Sequence, residues 1–173
     1  LGFSFNTMTG LSAGLIHLFN HALMKGGMFL VVACVAYSVG SDRIRDMRGL
    51  GRSMPLTMAA FVVGGLALIG VPGTVGFVSK WYLVLAALEK GWYAVVLLIL
   101  LSSLLALVYV WRVVEVIYFQ QREDDAPPVK DTPWNMLLPT WVLIGATVYF
   151  GLSTDLTVGV ARAAAAQLMG IAP

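Results

Sequence analysis

The sequence predicts an all-α membrane protein, a bundle of four to five transmembrane helices with one of them interrupted around Gly70–Gly76. Three observations carry that expectation. The chain is 59% hydrophobic and only 12% charged, whereas a soluble domain carries about 25% charged residues; mean hydropathy is +0.85. Its charges fall in short clusters, and the runs between them reach or exceed the ~20 residues that cross a ~30 Å hydrocarbon core. One of those runs contains Gly70-Val71-Pro72-Gly73, which a continuous helix does not accommodate. With no long polar linker, the expectation is a single transmembrane domain, residues 1–173, integral to a bacterial inner membrane. The chain opens LGFSFN, without Met, and no small-residue cleavage site follows its first apolar run, so a signal peptide is a poor reading. The expected organisation is the C-terminal third of a longer membrane subunit.

The first charge-poor run, 1–41, is broken only by Lys25 and holds one span over about 11–39. Within it, GLIHLFNHALMKGGMFL spaces His17, His21 and Lys25 by four residues. That spacing returns each group to nearly one helix face, in a column about 12 Å long at ~1.5 Å per residue. Lys25 lies at the midpoint, roughly 20 Å from either headgroup layer of a ~40–45 Å bilayer, beyond the reach of a snorkelling side chain. An ionisable group at that depth is a functional candidate. Proton transfer suits such a column, because histidine titrates near neutrality and low dielectric disfavours any ammonium.

Ser41–Ser53 carries four Arg and two Asp and reads as a short interfacial loop, cytoplasmic by the positive-inside rule. From 55 to 90 the chain forms either one broken span or two short ones, about 55–72 and 76–90, since the sequence at Pro72 allows both. Non-helical backbone at membrane depth persists where protein or a wet cavity satisfies it, and such breaks mark ion sites in transporters. Lys80 follows directly, in GFVSKWYL. A span over 93–119 follows an aromatic surface turn and carries Arg112 and Glu115 late in its course. Three residues apart, these two can pair on one face, with Glu115 a secondary exit candidate. Gln120–Thr132 is a polar loop, 133–152 the last span, and the tail from Thr154 is either a short interfacial helix or a frayed end.

Other chemistries find little support. Haem held from both faces needs histidines on two helices, and zinc needs a third ligand at a suitable spacing. No phosphate-cradling loop, cysteine cluster or nucleophile–base pattern is present, and Cys34 stands alone. No cofactor, metal or nucleic-acid partner is expected.

Taken in order, HLFNHALMKGGMFL, DMRGLGRSMPLT and GVPGTVGFVSKWYL resemble the proton-translocating antiporter-like subunits of NADH:quinone oxidoreductase (complex I) and of multisubunit Mrp-type sodium/proton antiporters. The wording around Lys80 looks most like the D subunit of the Mrp type, and the resemblance covers about Gly10 to Phe119. It implies that His17, His21 and Lys25 belong to a polar relay along the membrane mid-plane, and that Lys80 is the lysine of a discontinuous helix near an exit half-channel. It also implies partner membrane subunits, with protons and sodium as the transported ions, and no catalytic centre in this chain. Gly73 departs from the pattern, in which a second Pro often follows the first. The rival expectation is a structural or assembly protein without transport of its own.

Overall fold

Helix α1 (Met8–Val39) is the element against which most of the chain packs. The computed structural model describes residues 1–122 and 128–170; positions 123–127 of the predicted polar loop lie outside the described residues. Helix α1 starts where the Thr7 hydroxyl accepts from the Gly10 amide at 3.0 Å, and ends at Gly40, whose φ of 77° stops the ladder. A short turn at Ile44–Met47 and helix α2 (Leu50–Ser53) then cross the Arg-rich loop and bury Met47 and Leu50.

Helices α3 (Pro55–Ile69) and α4 (Val75–Glu89) have 15 residues each. At ~1.5 Å per residue each is about 22 Å long, too short to cross alone. They stand end to end, antiparallel to α1. Gly64 of α3 lies against Met28, Asn20 bonds to Val75 and Ser79 of α4, and Thr9 bonds to Glu89. The alternative left open by the sequence resolves to one interrupted span, broken over residues 70–74.

Helix α5 (Tyr93–Phe119) packs one face on α3 and α4 and leaves Leu97, Leu98, Leu104 and Leu105 exposed, as a lipid-facing surface does. Helix α6 (Trp134–Leu152) completes four spans among the described residues, and Pro133 sits just before its first turn. Of the two readings of the tail, the frayed end gives way to a short helix. This is α7 (Asp155–Leu168), which lies along the N-terminal half of α1, with Val158 and Ala161 packed against Ile16 and Val78. Small residues at Ala161 and Ala165 let the two backbones approach. Two main cores result. Val31, Met58, Phe61, Val110 and Ile144 fill one end, while Phe5, Leu83 and Ile99 fill the other; the break lies between them.

Candidate functional site: a lysine at a helix break

The last carbonyls of any α-helix lack internal partners and carry the negative end of its dipole. At the end of α3 they are met by Lys80, from the second turn of α4. Its Nζ donates to the Leu68 carbonyl at 3.0 Å, to the Ile69 carbonyl at 2.7 Å and to Ser103 Oγ of α5 at 2.8 Å. An ammonium has three protons, and all three are placed. Gly70 makes the reach possible. Its φ is 89°, and a Cβ there would come within 3.0 Å of Lys80 Cδ. Gly76 closes the joint, because a Cβ at that position would collide with the Ala67 carbonyl.

Opposite Lys80, α1 presents Asn20, 1% exposed. Its Nδ2 donates to the Val75 carbonyl and to Ser79 Oγ, both at 2.9 Å, tying α1 to the first turn of α4. Neither Asn20 nor Ser103 is among the residues expected from the sequence, although an Asn inside an apolar membrane run is itself a signal of interhelical hydrogen bonding. The far end of α3 is clamped as well. Asp131, on the approach to α6, accepts from the Leu56 amide at 2.8 Å and from the Thr57 hydroxyl at 2.6 Å, and so caps the positive end of the same dipole.

The structure gathers the predicted residues unevenly. The His17 and His21 rings stand 5.4 Å apart, and His17 is in Coulombic range of both His21 and Lys80. His17 is part-buried, whereas His21 and Lys25 are exposed on the surface of this chain. The reason is geometric. Each of the three follows one of the buried residues Ile16, Asn20 and Met24 by one position, so the whole column stands about 100° round the helix from the packed face. His17 Nδ1 and Asn20 Oδ1 are buried without a hydrogen-bond partner among the described residues. Arg112 and Glu115 are exposed on α5, and the expected pair between them is not formed; the ion pair seen among the described residues is Arg45–Asp46, at 3.6 Å.

What fold and site define is an integral membrane protein whose interrupted helix is held by a lysine. The chain belongs to the family described as NADH:quinone oxidoreductase/Mrp antiporter, TM, which matches residues 1–106. It is 40% identical, over 90% of its length, to NADH-quinone oxidoreductase subunit N of Desulforudis audaxviator (strain MP104C). It is 29% identical, over 98% of its length, to F(420)H(2) dehydrogenase subunit N of Methanosarcina mazei. The chain spans 33% and 36% of these two relatives' lengths. Among solved structures, a chain of the Mrp complex from Dietzia sp. DQ12-45-1b shares the fold, with a TM-score of 0.90 and 23% identity, over 97% of this chain and 39% of that one. A chain of an archaeal membrane-bound sulfane sulfur reductase matches with a TM-score of 0.76 and 34% identity, over 83% of this chain and 24% of that one. The antiporter-like resemblance read from the sequence therefore stands, while these sequence relatives are N subunits and not the D subunit of the Mrp type.

Proposed function

We propose that this chain moves protons as one part of a longer antiporter-like subunit, set among other membrane subunits of a respiratory or cation-exchanging complex in a bacterial inner membrane. The observation that carries the reading is the set of partners around Lys80. Two of them, the Leu68 and Ile69 carbonyls, only accept hydrogen bonds, whereas the Ser103 hydroxyl can accept or donate. An ammonium donates to all three. A neutral amine keeps both carbonyls and accepts from a turned Ser103 hydroxyl. The site thus suits lysine in either protonation state with little movement, which is what a proton relay requires.

From Lys80 the path runs to His17 and His21, then to Lys25. The buried, unpartnered His17 Nδ1 and Asn20 Oδ1 favour bridging water at the first step. Lys25 sits mid-helix on a face that this chain leaves open; a charge there costs roughly 2.5–3.5 kcal/mol against lipid. That cost favours the remainder of the longer subunit as its neighbour. Protons, with sodium as the exchanged ion in an Mrp-like setting, are the proposed cargo. The decisive experiment reconstitutes the parent complex with Lys25→Ala or Lys80→Ala and follows dissipation of a pH gradient. Undiminished transport in both ends the proposal.

A scaffold reading has one observation in its favour, since Lys80 caps α3 as a purely structural lysine would. It predicts that Lys25→Met and Lys80→Met reduce assembly while complexes that do assemble turn over normally.

A further inference from the structure

We propose that a groove between the Arg-rich loop and the end of α5 binds the headgroup phosphate of an anionic phospholipid. The groove has a volume of about 790 Å³ and is lined by Arg45 and Arg48 from the loop and by Val108, Trp111, Arg112 and Glu115 from α5. Three guanidiniums therefore face one carboxylate. Arg45 is engaged by Asp46 at 3.6 Å, while Arg48 and Arg112 make no ion pair among the described residues. A guanidinium presents a planar fork of donors that matches a phosphate in two-pronged fashion, and it sheds water more readily than an ammonium.

Depth argues for a lipid. Trp92 and Tyr93 mark one membrane surface at the start of α5, and Arg112 lies 19 residues after Tyr93. At ~1.5 Å per residue that is about 28 Å, the thickness of the hydrocarbon core, so Arg112 stands at the opposite headgroup boundary. Trp111 beside it is 56% exposed, an amphipathic ring at the depth where tryptophan is enriched. Away from the groove, the exposed Leu97, Leu101, Leu104 and Leu105 continue along α5 as an apolar track for acyl chains. A loop with four arginines also faces the cytoplasmic leaflet by the positive-inside rule, where anionic lipids concentrate. Charged fork, interfacial tryptophan and apolar track lie on one line, as a phospholipid's phosphate, glycerol and chains do.

The test uses the parent complex in vesicles of phosphatidylethanolamine with phosphatidylglycerol, and reads lipid carried through purification by native mass spectrometry. Phosphatidylglycerol should be retained preferentially, and the Arg48→Gln/Arg112→Gln variant should lose about tenfold of that retention. Arg43→Gln, in the same loop but outside the groove, should leave it unchanged and shows that folding is intact. Equal retention of both lipids, as would follow if acidic side chains or a partner subunit filled the groove, overturns the proposal. Loss of retention in Arg43→Gln as large as in the double variant also overturns it, because that is diffuse charge and not a site. Displacement of the lipid by millimolar inorganic phosphate alone would show that the acyl track contributes nothing, and the lipid assignment would fall.

Discussion

Replacing Lys80 with Met keeps the stem volume and removes the ammonium, leaving the Leu68 and Ile69 carbonyls and Ser103 without their donor. A hydrogen bond to a charged group contributes about 1.5–3 kcal/mol net. Counting only the two carbonyls at the low end gives ~3 kcal/mol. Lys80 is part-exposed in this chain, so solvent screening reduces that by about half, to ~1.5 kcal/mol. The amides that report on the joint are those of Gly70 and Val71, both bonded to the Leu66 carbonyl, and of Thr74, bonded to that of Val71. If Lys80 holds the joint, Lys80→Met raises hydrogen exchange at these amides about tenfold, as ~1.4 kcal/mol is a factor of ten. Amides in the middle of α5 should be unaffected. Lys80→Arg keeps donors in reach of the carbonyls and should give an intermediate rise. Exchange at residues 70–74 indistinguishable from the parent protein in Lys80→Met would falsify the idea that this side chain fastens the break.

Two further perturbations probe the same framework. Asn20→Ala removes both bonds from α1 to α4 while Ser79 Oγ keeps its own bond to the Val75 carbonyl at 3.0 Å. The expected loss is about 1–2 kcal/mol, read as a lower thermal midpoint in detergent, and an unchanged midpoint would show that the pair of helices does not depend on the amide. Asp131→Ala uncaps α3 and should cost about 1 kcal/mol; Asp131→Asn, which still accepts at one oxygen, should recover a large part of it, and equal loss in both variants would point to charge and not to capping.

Much of the bundle is legible because membranes constrain sequence so tightly. The charge-poor runs locate α1, α5 and α6 within a few residues, and Gly70, Pro72 and Gly73 announce the interruption through backbone chemistry that acts within a turn. The position of Lys80, an ammonium next to a break, is legible for the same reason. The clamps are not. Ser103 lies 23 residues from Lys80, and Asp131 lies 75 from Leu56; nothing local signals which distant side chain will meet a helix end. The histidine column is legible as a face but not as a packed one: it stands about 100° round α1 from Ile16, Asn20 and Met24, and only the bundle shows which of the two faces is covered. The tail is easy to undervalue because its alanines bury little area. In a membrane, small residues are what allow a helix to lie close, and Ala161 and Ala165 do so beside Val158.

Helix α3 is fastened at one end by a carboxylate and at the other by an ammonium, each opposite in sign to the partial charge it meets. A short rod mounted in this manner works like a door with one fixed jamb and one latch. Loss of positive charge at Lys80 leaves its two carbonyl bonds in place but slackens the pull of the latch on the helix dipole, while the Asp131 side stays hung at the surface loop. Motion started deep in the bilayer would then swing α3 about its outer edge, and Met58 and Phe61, packed with Val31 and Val110, would carry that swing to both neighbouring spans.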